Sequence, residues 1–291
     1  MSVKSRQTIS MNLNTTHWVP GTNKYRLNFL QPLDCRNNNA TVALYQYGIY
    51  NSSYNISVAL NNNTFSFNWL GTVHSCTIPD GYYSISDLNV IIQYNLTKNK
   101  LYCFNTTNAS QVVYNFALSV NASRYGVQLD INYIPASTNT FWNSYTQPAT
   151  PGWSKPSVNT YPTITFNTNL EKLLGFDTTI TTYPASSTVG SESSKSFLSP
   201  TYPILSPVFT YILTCNLVHN KLSNVPNLFH QVPLDKPYGS LLCATLPIGT
   251  GLTCNATQHN YLEICLLDQE YKPLQMVDPE LTLTILISLD I

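Results

Sequence analysis

The side chains able to hold a metal or move a proton are sparse in this chain and badly spaced for either task. Five histidines, His17, His74, His219, His230 and His259, form neither His-x-His nor His-Glu-x-x-His, the spacings that bring two imidazoles to one ion. Seven cysteines stand at Cys35, Cys76, Cys103, Cys215, Cys243, Cys254 and Cys265 without a Cys-x-x-Cys pair. A structural zinc site therefore lacks its short-spaced ligands, and the odd count argues against a disulfide framework. Cys103 and Cys215 sit inside apolar runs and read as small core residues. Reduced thiols fit a cytosolic place of synthesis.

Carboxylates are no better placed. The five glutamates are Glu171, Glu192, Glu263, Glu270 and Glu280, and glycoside hydrolysis needs two acids facing one bond about 5–10 Å apart. Glu171 falls on a short helical run, Glu192 in a Ser-rich loop. Glu263 follows Tyr261 in a strand pattern, which points it at solvent. Asp268, Glu270, Asp278 and Glu280 bunch near the last hairpin; oxygen ligands for Ca²⁺ could gather there, but ordinary loop acids are the better reading. No Gly-x-Ser-x-Gly elbow occurs, and Gly249-Thr250-Gly251 has no helix after it to make a phosphate loop. The sequence offers no catalytic set, no cofactor site and no metal ligands. The expectation is a protein that is not an enzyme.

Composition turns the search toward assembly. Charged residues make up 10% of the 291, against about 25% in an ordinary soluble domain. Asn, Ser, Thr and 20 Tyr must supply the polar surface. An AT-rich genome would produce this bias; so would a surface buried against partners, where charge is depleted and Tyr enriched. The two causes are compatible. Fourteen basic residues balance fourteen acidic ones, so no broad basic face is available for strong nucleic-acid binding. Lys4 and Arg6 are the one local basic bias. There is no apolar run of about 20 residues to span a membrane and no signal-like opening. Ten Asn-x-Ser/Thr sequons, among them Asn14, Asn51, Asn55 and Asn255, are then expected to go unused.

What must position any functional surface is a set of β-strands. Tyr125, Val127, Leu129, Ile131 and Tyr133 alternate with Gly126, Gln128, Asp130 and Asn132; Phe209 to Leu217 and Leu281 to Leu289 do the same. A period of two puts the apolar set on one buried face, and such strands close a core by packing sheet on sheet. Further strands are expected at 25–33, 41–50, 54–60, 65–69, 100–104, 112–120, 239–246 and 260–267, with Pro32 ending the first and Asn61-Asn62-Asn63 turning a hairpin into Phe65, Phe67 and Trp69. Ile85, Leu88, Ile92 and Leu96 switch to helical spacing behind Ser84, with Asp87 three residues on as a capping partner. Asn169 to Phe176 reads as one or two helical turns ended by Gly175. The expected fold is all-β: one elaborated jelly-roll sandwich with short helices. Residues 1–22 form a polar N-terminal arm and 23–291 the jelly roll. Within it, a Pro/Ser/Thr-rich insertion at 135–207 lies on one exposed end, with its least ordered part between Ser186 and Ser199.

The run Ile78-Pro79-Asp80-Gly81-Tyr82-Tyr83-Ser84-Ile85-Ser86-Asp87-Leu88-Asn89 resembles segments of penton and minor capsid proteins from adenovirus-like double-stranded DNA viruses, including virophages, polinton-like elements and giant viruses. Leu173-Leu174-Gly175-Phe176 resembles a second such segment. Cys215-Asn216-Leu217-Val218, Asn260 to Ile264 and Pro279-Glu280-Leu281 resemble the closing strands. The resemblance covers scattered parts of about two-thirds of the chain. It implies a penton protein, an upright jelly roll of which five copies close each vertex of an icosahedral capsid. It also implies neighbouring major-capsid capsomers as partners, a place in the virion, and assembly inside the host cell. A fivefold ring is a heterologous interface that closes on itself, and a polar arm carrying Lys4 and Arg6 would run beneath neighbouring capsomers. The alternative is a minor capsid protein or the receptor- or carbohydrate-binding sandwich of a viral fibre. In that case Trp142, Tyr145 and Trp153 would be the sugar platforms; if the insertion instead projects from a vertex, Trp142 and Trp153 would anchor a host receptor or another vertex component.

Overall fold

The computed structural model describes residues 6–36, 40–140, 143–150, 152–180, 182–189, 194–220, 224–247 and 251–290. Lys4, Trp142, Glu192 and the Gly249-Thr250 pair lie outside them, as do the side chain of Arg6 and part of the 186–199 stretch. The chain divides into two compact units: Met1–Tyr54 together with Val208–Ile291, and Asn55–Pro207. The second is inserted whole into the first, so the inserted text begins 80 residues before the Pro-rich region that sequence texture picks out.

The first unit holds β1 (Arg6–Leu13), β2 (Lys24–Asp34) and β3 (Thr41–Tyr50). After the insertion come β13 (Thr210–Cys215), β14 (Leu228–Pro233), β15 (Leu241–Thr245), β16 (Leu252–Thr253), β17 (Gln258–Leu267) and β18 (Leu281–Asp290). They form two antiparallel sheets, one ordered β1-β18-β3-β15 with β16 also on β3, the other β14-β13-β17-β2. Counting β15 and β16 as one interrupted strand on β3, the pairs are first with eighth, second with seventh, third with sixth and fourth with fifth. That is a long hairpin rolled into two sheets, the jelly roll. Inward-facing Leu13, Val42, Leu44, Ile49, Leu213, Leu262, Ile264, Leu283, Ile285 and Ile287 fill the space between them.

Two local readings change here. The polar opening is not a free arm over residues 6–13: Ile9, Met11 and Leu13 face Ile287, Ile285 and Leu283 across an antiparallel ladder. Pro32 lies within β2 rather than ending it. It is tolerated because β2 is a sheet edge and the register with β17 shifts there, between His259 and Tyr261. The inserted unit is thus reached from β3, at the one connection between the third and fourth strands.

That unit contains β4 (Thr64–Trp69), β5 (Thr72–Thr77), α1 (Ile85–Lys98), β6 (Cys103–Asn105), β7 (Val112–Val113), β8 (Phe116–Asn121), β9 (Gly126–Ile131), β10 (Tyr145–Thr146), β11 (Thr163–Phe166), α2 (Thr168–Leu174) and β12 (Lys195–Leu198). Three small sheets run β11-β4-β5, β12-β9-β8 and β10-β6-β7. The first two share a core with both helices, built on Phe65, Phe67, Trp69, Phe116, Phe166 and Phe176. Ser84 caps α1 as its spacing predicts: its Oγ accepts from the Asp87 N–H at 3.2 Å, and the Asp87 carboxylate accepts from the Ser84 N–H at 2.9 Å. Gly175 ends α2 at φ +79°, where a Cβ would come within 2.4 Å of the Thr201 carbonyl.

Residues 54–60 are turns rather than a strand, with Ile56 making one bridge to Gly81. The partner of β4 is instead β5, joined through Leu70 (φ 50°) and Gly71 (φ 89°). Positive φ at both centres is the type I′ form of a two-residue hairpin, and Leu at the first gives no sequence signal for it. Residues 135–207 are more than an exposed end: Tyr161, Ile164, Phe166, Leu170, Leu174 and Tyr183 are all core. Within 186–199, β12 pairs with β9 and places Phe197 opposite Leu129.

Candidate interaction surfaces

Several chemistry-bearing side chains among the described residues are spent on structure. Among the described residues no three His, Cys, Asp or Glu side chains converge to hold a metal. Near the last hairpin, Asp268 Oδ1 accepts from the Glu270 and Lys272 N–H groups at 2.8 and 2.9 Å, and Asp278 Oδ1 from the Glu280 N–H at 2.8 Å. These carboxylates close turns. Asn55 is fully buried, donating to the Tyr83 and Leu205 carbonyls and accepting from the Tyr83 N–H. A sequon asparagine spent in this way has no free amide to present.

Glu263 does not point freely into solvent. Its carboxylate, 13% exposed, sits between Lys24 and Arg26 of the neighbouring β2. Burial pushes its pKa up, but hydrogen bonds and charge from Arg26 and Lys24 together outweigh that and hold it below the usual range. Arg26 also stacks 4.4 Å above the Tyr261 ring. Asn216 locks the patch to β13, accepting from the Glu263 N–H at 2.7 Å and donating to the Tyr261 carbonyl at 2.9 Å. Glu171 is the opposite case: wholly buried on α2, it has no hydrogen-bond partner on either carboxyl oxygen. Burial first, and Asp177 second, push its pKa up.

Large apolar and aromatic side chains are exposed on both units. On the first unit the bulged edge of β2 presents Leu30, fully exposed, beside the half-buried Phe29; Phe209 is exposed just before β13. On the inserted unit, Val90 and Tyr94 lie one turn apart on the outer face of α1, and Tyr125 and Tyr202 pair at 6.5 Å. A groove of about 640 Å³ is lined by Thr138, Asn139, Thr140, Ser157, Asn159 and Thr188, with hydroxyls and amides and no charged side chain.

Of the aromatic platforms expected from sequence, Trp142 lies outside the described residues and Trp153 is used otherwise. Trp153 packs edge-on against Trp69 at 5.2 Å and donates its Nε1–H to the Lys100 carbonyl at 2.8 Å, a lid on the core. Tyr145 is half-buried on β10. Sequence reasoning did not single out Leu30, Val90 or Tyr94, and it set Phe209 and Tyr125 on the buried faces of their strands, where both prove exposed. An exposed residue inside an apolar pattern looks identical to a buried one until its sheet edge or helix face is known.

The strand order defines the class: a jelly-roll protein with an inserted β-rich unit. No family model matches the chain, and no curated protein sequence matches it. Among solved structures it is similar to the mavirus penton protein, at 8% identity and TM-score 0.43, covering 99% of each chain. It is also similar to a chain of the Sputnik virophage cryo-electron-microscopy structure, at 12% identity and TM-score 0.41, covering 97% of this chain and 98% of that one. Among the described residues no helix is long and apolar enough to cross a membrane.

Proposed function

We propose that this chain is a structural capsid protein that forms the vertex of an icosahedral double-stranded DNA virus as a homopentamer. The observation that carries the reading is the complete eight-strand jelly roll in which every strand pair of the rolled hairpin is present. Jelly rolls serve capsids, lectins and cupins. A cupin works through converging metal ligands, and among the described residues no three His, Cys, Asp or Glu side chains converge. The low charge and the exposed Leu30, Phe209, Val90 and Tyr94 support burial against copies and neighbours. Major-capsid capsomers are the proposed neighbours and the virion the proposed location.

Negative-stain images of the purified protein test this: rings with fivefold symmetry are expected, and threefold particles would move the protein to a fibre or major-capsid role. One observation favours a second reading, a carbohydrate-binding sandwich. The groove of the inserted unit has the size of a small-ligand site, and its hydroxyls and amides, set beside Ala136, Val158 and Val189, can hydrogen-bond and pack on a neutral glycan. Glycan binding lost on Asn139→Ala, with no fivefold rings, would favour it.

A further inference from the structure

The β12-β9-β8 sheet of the inserted unit turns Val127, Leu129 and Ile131 into the core and leaves its other face outward. Register fixes the members of that outer face: Gln128 stands between Ser119 and Leu198, and Asp130 between Ala117 and Ser196. Its polar side chains are joined in one line. Asn121 donates its Nδ2–H to Gln128 Oε1 at 3.1 Å, and Gln128 donates its Nε2–H to Asp130 Oδ1 at 2.9 Å and Oδ2 at 3.2 Å. The Ser196 hydroxyl donates to the same Oδ1. Acceptor capacity is left over, since a carboxylate has roughly four lone-pair sites and an amide oxygen two. From Gly126 to Asp130 the line runs about 13 Å, at roughly 3.3 Å a residue.

At the Gly126 end two rings stand out of the surface. Tyr125 is 75% exposed and Tyr202 64%, with ring centroids 6.5 Å and planes 37° apart. Burial accounts for neither ring, yet the backbone beneath both is held. Tyr125 sits in the left-handed region at φ 48°, a strained place for a residue with a Cβ, and its N–H donates to the Ala122 carbonyl at 3.3 Å. The segment that carries Tyr202 is tied twice: Ser199 Oγ accepts from the Val127 N–H at 2.9 Å, and the Thr201 N–H donates to the Gly175 carbonyl at 3.2 Å. A Cβ on Gly126 would come within 3.0 Å of Ser199 Oγ, so the two segments close up on a glycine.

We propose that this outer face binds a short neutral oligosaccharide, with one sugar on the rings of Tyr125 and Tyr202 and the chain running along Gln128 to Asp130. A sugar ring has apolar C–H faces and a hydroxylated edge. The faces pack on tyrosine rings, which give a large contact at little entropic cost. The edge hydroxyls donate to the spare lone pairs of Gln128 Oε1 and the Asp130 carboxylate. A second protein is a poorer occupant, because the centre of a protein interface is apolar and here it would cover a line of joined polar groups. The residues of this face are not those of the groove near Asn139, and the site depends on neither reading of the whole chain given above.

The full-length protein is applied to an array of neutral oligosaccharides built on glucose, galactose and N-acetylglucosamine, and each hit is titrated by calorimetry. Affinity should fall about tenfold in Tyr202→Ala and again in Gln128→Ala. Tyr202→Phe, which keeps the ring, should bind nearly as the parent does, and Asn139→Ala should bind unchanged. Tyr202 is exposed, so its variants are expected to keep the parent's thermal midpoint. No hit on the array would overturn the proposal, as would hits that Tyr202→Ala and Gln128→Ala leave untouched or that only Asn139→Ala removes. Tyr125 and Tyr202 shielded from tetranitromethane in the assembled oligomer would also overturn it, by making them subunit contacts. Fivefold rings without glycan binding would leave the vertex reading standing and this one refuted.

Discussion

The two units solve the same problem with different side chains. The jelly roll has long strands, 8 to 11 residues in β1, β2, β3, β17 and β18, and its core is mostly aliphatic. In the inserted unit the core-forming strands are 4 to 6 residues long, and among the described residues rings supply nine of its 26 buried core positions against four of 26 in the jelly roll. Phe65 meets Phe67 edge-on at 5.3 Å, Phe67 stacks on Phe116 at 5.3 Å, and Phe166 stacks on Phe176 at 6.2 Å. A short strand turns only two or three side chains inward, so each must bury more area, and aromatic rings bury the most per position. A long strand can reach the same total with Val, Ile and Leu. Strand length therefore sets core chemistry, and a ring lost from the inserted unit should cost more than an aliphatic group trimmed from the jelly roll.

Phe67→Ala tests this most severely. It removes a fully buried ring that touches two others, and a loss of about 3–5 kcal/mol is expected in urea unfolding, against about 0.5–1.5 kcal/mol for Ile285→Val in β18. Hydrogen exchange should quicken in β4, β8 and β9 and leave β13, β17 and β18 protected; equal quickening of both sets would show that the two cores are not separate. Next in size is Tyr211→Phe in the jelly roll. The Tyr211 hydroxyl accepts from the Ser52 and Ser53 N–H groups, each at 3.1 Å, and removing it strands buried donors at about 1–3 kcal/mol. A neutral outcome would mean that those donors find other partners.

The two glutamates sharpen the contrast through pH. Glu263 has a pKa below its ordinary value. Its contribution is present above the unfolded-state pKa and is lost as pH falls through the folded one. Glu171 has a pKa above its ordinary value. Its contribution is complete below the unfolded-state pKa and is lost as pH rises through the folded one. Glu263→Gln should thus weaken the protein at neutral pH more than in acid, and Glu171→Gln should strengthen it at neutral pH more than in acid. Unfolding curves at pH 4 and pH 7.5 for the three proteins would show the opposite signs; a shared sign would undo the assignment of one carboxyl. The smallest effect is expected from Ser84→Ala, about 1 kcal/mol for the lost cap of α1, read from the thermal midpoint.

Strands of either unit were legible where an apolar face alternates over several positions, in β9 of the inserted unit as in β13 and β18 of the jelly roll. β13 proves buried at every position from Tyr211 to Cys215, which alternation alone does not convey. β5, β11, β12 and β14 were not legible. In β5 only Cys76 is buried, and β11 and β12 have four residues each, set in Pro- and Ser-rich text. β14 shifts register against β13 at Leu213/Thr214 and ends at a proline. A strand with one or two inward positions carries no period, and its pairing is decided by residues far along the chain. The helix caps were legible because they are local: Ser84 with Asp87, and Gly175. The surfaces were hidden for the converse reason. Trp153 has the composition of a binding platform and the position of a lid, and only the ring of Trp69 beneath it distinguishes the two.

The vertex reading rests finally on how many copies close a ring. Native mass spectrometry of the full chain across a range of concentrations measures this directly. The account predicts a species of about 163 kDa, five times the 32.6 kDa chain. A protein that stays at the mass of one chain at every concentration, or that assembles as trimers, would contradict it.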